Sequence, residues 1–282
     1  MPELFGLIED MPFDEYAAVP AMNGSSLIHM RRSPMKYRHE LDNPSPATPA
    51  MILGTATHRL ILEPEKVNDF AVWGLQEEDK VRRGKVWDAF KAAHQGQMIV
   101  TVDERDAMVG MAIASRKNLP ILKYANAKGK TEVSMFWSEG GRRFKGRVDK
   151  IITAGGPCIF DLKTTRDCHS FNFGKQAYGL GYHIKMALYW RGYKSITGDD
   201  CKLKLGAIES KAPHESTVFR ITSDVLLQGL EELDALIKRV DECEQLGAWP
   251  AEHEEETDLM LPAWVAQGNE QNLEEFALAE EN

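Results

Sequence analysis

The stretch from Arg147 to Thr165, Arg-Val-Asp-Lys-Ile-Ile-Thr-Ala-Gly-Gly-Pro-Cys-Ile-Phe-Asp-Leu-Lys-Thr-Thr, leaves the chain few choices. Arg147 to Thr153 predicts one short strand and Cys158 to Thr164 a second. Between them, Ala154-Gly-Gly-Pro157 supplies two residues free to take positive φ and a proline that a central strand excludes. The pattern is a hairpin, and it carries three charged groups: Asp149 on the first strand, Asp161 and Lys163 on the second.

A strand repeats every two residues, so Asp161 and Lys163 share a face, about 7 Å apart. The hairpin can bring Asp149 beside them. Two facing carboxylates repel unless a cation lies between them. A hard divalent ion with oxygen ligands meets that need, and Mg²⁺ is the commonest one where phosphate is the substrate. Beside it, Lys163 could polarise a water or meet a phosphate oxygen. A surface hairpin with solvated Asp and Lys is the alternative. The neighbours Cys158, Ile159, Phe160 and Leu162 weigh against it, because charge is expensive to bury among apolar groups.

Asp149, eleven residues, then Asp161-Leu162-Lys163 resembles the PD-(D/E)xK nuclease motif. Gly146-Arg-Val-Asp-Lys-Ile and Phe160-Asp-Leu-Lys-Thr-Thr resemble the exonuclease VIII (RecE-type) nuclease domain. So do Arg31-Arg32-Ser-Pro-Met-Lys-Tyr, the loop Glu209-Ser-Lys-Ala-Pro213, and Trp249-Pro250 with Leu261-Pro-Ala-Trp264 near the end. The similarity runs from about Met22 to about Val265. It implies one α/β domain over 1–266, a central mixed sheet flanked by helices, with an acidic, disordered tail over 267–282. It implies a magnesium-dependent, ATP-independent exonuclease, with Mn²⁺ as substitute, that degrades one strand of duplex DNA from the 5′ end for phage or prophage recombination. A ring-like homo-oligomer, a tetramer, and a single-strand-annealing partner belong to the same implication.

The resemblance also implies roles. His58, in Gly54-Thr-Ala-Thr-His58, joins Asp149, Asp161 and the Leu162 carbonyl as a metal ligand; a neutral imidazole adds no negative charge. Glu132 matches an acidic position on the preceding strand and is a candidate for a second metal or for orienting a water. Arg147, Thr164 and Thr165 are candidates for phosphate, and Arg31 and Arg32 for the DNA backbone. Tyr178, Tyr182, Lys185 and Tyr189 fall on one face of a helix predicted from Phe171 to Tyr193, where nuclease relatives carry Gln-x-x-x-Tyr. Lys185 stands where glutamine is expected; it offers phosphate a point charge but cannot accept a hydrogen bond. Solvated arginines, a packed core histidine, an exposed strand carboxylate and core tyrosines remain the structural alternatives.

A net charge of −9 looks wrong for a DNA enzyme until it is divided. Residues 1–30 and 251–282 hold acids and no lysine or arginine, while 31–250 carries 34 basic against 28 acidic residues. A mildly basic body with acidic ends is compatible with DNA binding. The four cysteines form no Cys-x-x-Cys, which disfavours a zinc, disulfide or iron–sulfur framework. No apolar run reaches membrane-spanning length and no secretory leader opens the chain, so a cytoplasmic protein is expected. Two rival functions stay open: a structure-specific endonuclease of the same fold, and a non-catalytic DNA-binding module.

Elsewhere the pattern predicts an irregular stretch over 1–20, a helix from Ser25 or Ser26 to about Leu41, and a helix from Met51 to Leu62. A capping box at Thr101–Glu104 opens a helix ending near Pro120. Strands are expected at Thr131–Trp137, Leu203–Glu209 and Thr217–Thr222. A helix follows Ser223 or Asp224, with its Leu226, Leu230, Leu233, Ile237 and Val240 stripe packed on the sheet.

Overall fold

A computed structural model describes residues 4–76 and 81–260. Its centre is a six-stranded mixed sheet in the order β1-β4-β5-β6-β7-β8, formed by Gly6–Ile8, Gly129–Glu139, Arg142–Ile152, Cys158–Thr165, Lys202–Glu209 and Ser216–Arg220. β6 and β7 run parallel and the other neighbours antiparallel. Parallel strands need a long crossover; two helices supply it, α8 (Ser170–Gly179) and α9 (Tyr182–Thr197).

Helices cover both faces. On one side α9 buries Ile184 and Leu188 against Val133, Met135, Trp137, Ile159 and Leu205, and Leu233 and Val240 of α10 (Ser223–Leu246) join the same cluster. α9 lies close to β4: a Cβ on Gly192 would come within 2.6 Å of the Trp137 ring. On the other side α4 (Pro49–Leu62) and α6 (Val102–Lys117) bury Ala56, Leu60, Met108 and Met111 against Phe160, Leu162 and Ile208. Thr48 caps α4, and the Thr101–Glu104 capping box opens α6.

Several local expectations change. The segment 4–20 is not irregular: β1 pairs with β4, and α1 (Phe13–Ala18) lies over the β4–β5 hairpin. The helix expected over 25–41 is three pieces, α2 (Gly24–Leu27), a 3₁₀ turn (Ile28–Arg31) and α3 (Pro34–Asp42), because Ser33 caps a new helix with proline at its first position. The polar stretch after Leu62 contains β2 (Phe70–Trp73), α5 (Lys85–Ala93) and β3 (Met98–Thr101), with β2 and β3 paired in parallel. The helix ending near Pro120 is followed by another, α7 (Leu119–Asn126), capped by Asn118. The helix expected from Phe171 to Tyr193 breaks at Gly181, whose φ of +65° is left-handed, so Tyr178 leaves the face that Tyr182, Lys185 and Tyr189 share. Thr222 caps α10, which packs chiefly on α9 rather than on the sheet. The Leu261–Trp264 match and the tail lie outside the described residues.

Two hairpins build the site. Gly140 and Gly141, at φ +58° and +77°, form the tight turn between β4 and β5, where Asn or Gly is favoured because both residues need positive φ. Gly155 and Gly156 turn β5 into β6.

Candidate active site

The β5–β6 ladder runs Ile152↔Cys158, Ile151↔Ile159, Lys150↔Phe160 and stops. One step further the register sets Asp149 opposite Asp161. There the strands part, and the Leu162 N–H donates to Asp149 Oδ2 at 2.6 Å instead of to a strand carbonyl. The same level is irregular on β4. The β4–β5 ladder is continuous except at Glu132↔Asp149, and Glu132 has a φ of +51°, a strained value for a residue with a side chain. Alternation slips here too. Val148 and Ile151 both face the α9 layer, while Lys150 and Ile152 turn the other way, Lys150 donating to the Ala125 carbonyl at the end of α7. The sheet is locally reshaped where its acids meet.

α4 brings the histidine. Its Gly54 lies against Thr164, with a Cβ there 3.4 Å from the hydroxyl oxygen, and one turn later His58 Nδ1 lies 3.4 Å from Asp149 Oδ2. Lys163 Nζ pairs with Asp161 Oδ2, donates to the Leu162 carbonyl oxygen (3.1 Å) and lies 5.7 Å over the Tyr182 ring. The ammonium thus stands where a divalent ion held by these oxygens would stand. Arg147 Nε donates to Glu132 Oε2 at 2.8 Å.

The electrostatics are those of surplus negative charge. Burial first, then the charge of Asp149, push the Asp161 carboxyl up. The same two causes raise Glu132. Burial also acts to raise Asp149, but His58, Lys163 and the Leu162 N–H outweigh it and hold that carboxyl below its usual range. For Lys163, burial opposes the charge, and Asp161 with Asp149 outweigh it, so the ammonium is held above its ordinary range. Two acids raised by a like-charged neighbour, and oxygen donors already gathered on a cation, fit a hard divalent ion with ligands from Asp149, Asp161, the Leu162 carbonyl and His58.

Other expected residues fall less simply. Lys185 lies on the site side of α9, its stem against Gly24. Among the described residues its amine has no hydrogen-bond or ion-pair partner. It is pushed down to about 8, by burial first and by Lys163 second. Tyr182 stays beside Lys163, near Gln176. Tyr189 instead covers Gly146 of β5, a packing position. Thr165 is buried and donates its hydroxyl to Gln176 Oε1 at 2.7 Å, so it is a brace for α8 and not a phosphate contact. Arg31 is tied to Glu232 at 2.7 Å and to the Tyr178 carbonyl at 2.7 Å, an internal link rather than a free DNA contact; Arg32 is exposed. Arg147 also donates to the Met11 carbonyl at 2.7 Å, so it anchors the 4–20 segment as well as Glu132.

The same segment is held by a group that the sequence pattern gave no reason to single out. Lys145 is buried, and its Nζ donates to the carbonyls of Tyr16 (3.0 Å), Ala17 (2.8 Å) and Val19 (2.7 Å) at the end of α1. The only trio of His, Cys, Asp or Glu ligand atoms within 4.8 Å of one another among the described residues lies elsewhere, at Cys168, Glu209 and Glu215. Burial, then Glu209, push the Cys168 thiol up to about 11, which disfavours the thiolate a metal needs.

Residues 24–260 match the family described as PDDEXK-like domain of unknown function (DUF3799). The chain belongs to that family. The PDDEXK-like domain thus takes in both hairpins, the His58 helix and α9. A crystal structure described as a "Putative exonuclease" from Eubacterium rectale aligns over 92% of this chain and 98% of that one, with a TM-score of 0.60 at 13% identity. The likeness is one of fold. A crystal structure of SSO0001 covers 74% of this chain and 84% of that one at 15% identity, and its TM-score of 0.27 bears no weight. No curated protein matches the sequence. Among the described residues no helix is long and apolar enough to cross a membrane.

Proposed function

We propose that this PDDEXK-like protein is a divalent-metal-dependent deoxyribonuclease, and more narrowly a RecE-type exonuclease that works from the 5′ end of duplex DNA. The observation that carries the nuclease reading is the meeting of Asp149 and Asp161 where β5 and β6 part, with Lys163 bound to one acid and His58 beside the other. Nucleases of this fold generally depend on a divalent metal. In this reading Asp149, Asp161, the Leu162 carbonyl and His58 would hold Mg²⁺, or Mn²⁺ in its place, and Glu132 lies close enough to support a second ion or a water. The ion supplies an activated water and neutralises charge developing on phosphorus oxygens.

The chain's own groups do the rest. Lys163 orients the nucleophilic water and offsets the charge of the reacting phosphate. Lys185, which has no partner among the described residues, donates to a phosphate oxygen. Tyr182 holds Lys163 from above, and Arg147 fixes the carboxylate of Glu132. The exonuclease direction, the ring-like tetramer and the annealing partner come with the RecE-type resemblance; the described name of the Eubacterium rectale protein supports the exonuclease part.

The test is digestion of linear duplex labelled at the 5′ or the 3′ end, beside covalently closed circles, with Mg²⁺, Mn²⁺, Ca²⁺ or excess EDTA. Early loss of 5′ label, intact circles, binding without cleavage in Ca²⁺ and no activity in EDTA are expected. Cut circles would mark an internal cutter, and full activity in EDTA would remove the metal reading.

A further inference from the structure

At the opposite end of β6 and β7 lies a basic cluster that the candidate site does not use. Lys204 on β7 and Arg220 on β8 are direct cross-strand partners, an arrangement of like charges that destabilises a sheet. Lys202, two residues before Lys204, shares its face. From α7, Lys123 joins them: its ammonium lies 5.7 Å from the Tyr124 ring centroid, and that of Lys204 lies 6.0 Å from the same ring. Among the described residues none of the four cations has an acid within ion-pair distance, whereas Lys66, Arg82, Lys130, Arg142, Arg191 and Lys194 all do. Burial, then Arg220, Lys202 and Lys123, push the Lys204 amine down. Thr222 and Ser223, at the positive end of the long helix α10, line a cleft of ≈ 400 Å³ with Lys202, Lys204 and Arg220.

Protection of a sheet edge accounts for charge on β8 alone. It does not account for cations on β7 and on α7. A cluster of like charges that has no counter-ion among the described residues is complementary to a polyanion. It sits on the face of Phe160 and Tyr124, whereas Asp161 and Lys163 point to the α9 face, and at about 3.3 Å per residue it lies roughly 3–10 Å back along the strands from Asp161 and roughly 10–17 Å from Lys163. It can therefore hold a stretch of nucleic acid other than the one at the candidate site.

We infer that Lys123, Lys202, Lys204 and Arg220 form a second phosphate-backbone surface, which carries the DNA strand that is not cut. This rests on the nuclease reading for the identity of the strand. The experiment is fluorescence anisotropy in EDTA, where no cleavage is expected, of a duplex with a long 3′ single-stranded overhang and of its blunt counterpart. It compares the parent chain with Lys202→Gln/Lys204→Gln/Arg220→Gln and with Arg220→Gln alone. For the overhang DNA, the slope of log affinity against log salt should fall by about 2 in the triple variant and about 0.7 in the single one, with affinity at low salt roughly tenfold or more weaker in the triple variant. The blunt duplex should lose less. Melting temperature should not fall, because the substitutions remove repulsion. Hydrolysis of a small chromogenic phosphodiester, thymidine 5′-p-nitrophenyl phosphate, should be unchanged.

An unchanged salt slope in the folded variants overturns the surface. Equal losses for blunt and overhang DNA overturn its assignment to the uncut strand. If the parent binds DNA but cleaves none with metal, the nuclease reading fails, while the slopes still decide the surface.

Discussion

Lys185 is the sharpest place to test the charge logic of the site. Its amine falls from an ordinary 10.5 to about 8, and at ~1.4 kcal/mol per unit the shift corresponds to roughly 3 kcal/mol of destabilisation of the charged form. Lys185→Met keeps the unbranched stem against Gly24 and removes the charge. The metal-free protein should then be more stable by roughly 1–3 kcal/mol after relaxation, which at about 2–4 °C per kcal/mol is a clear rise in melting temperature. The sign fixes the pH window. Below about 8 the amine is charged in both folded and unfolded states, so the cost is complete. Between about 8 and 10.5 the folded amine gives up its proton first, and the cost fades. Melting of parent and variant in EDTA at pH 7 and near pH 10.5 reads this directly. DNA binding should move the other way, with weaker affinity and a salt slope smaller by about 0.9 for duplex. A variant that melts below the parent, or a gain that does not shrink at high pH, refutes the reasoning.

Other outcomes follow from the same geometry. Asp161→Ala should lose metal affinity and cleavage together, whereas Lys163→Ala should keep metal affinity or raise it slightly and lose about two to three decades in single-turnover cleavage, read by calorimetry and quench-flow. Lys145→Met strips the donor from the Tyr16, Ala17 and Val19 carbonyls and should lower stability by roughly 2–4 kcal/mol in urea unfolding. Gly192→Ala drives a methyl into the Trp137 ring and should cost about 1–3 kcal/mol, visible as a lower urea midpoint at unchanged slope.

The hairpins were legible because their signals are local. Gly140-Gly141 and Gly155-Gly156-Pro157 mark turns, and the alternation between them marks strands. Asp149 and Asp161 could be brought together on paper because one register step does it. The slip at Asp149 and the left-handed Glu132 left no trace in the sequence: both are settled by how β4, β5 and β6 diverge, not by residue type. β2 and β3 escaped because four-residue strands carry too little periodicity. The helix expected from Phe171 to Tyr193 runs through Gly181, whose positive φ instead separates α8 from α9. The break before α3 did have a signal, Ser33 followed by Pro34, the cap and first position of a new helix. Arg31 and Thr165 show the limit of residue type alone, since an arginine or a threonine serves phosphate and internal ties equally well.

Lys163 also changes what it means for this site to take up an ion. The protein carries its own counter-ion, already seated on Asp161 and the Leu162 carbonyl. The charge of Asp161 is thereby met from within the protein. A divalent ion taking these oxygens would have to displace the ammonium, so its occupancy would be set by competition and not by an open cage. An ammonium displaced from those oxygens would be free to face a phosphate, so a single side chain would couple loading to readiness.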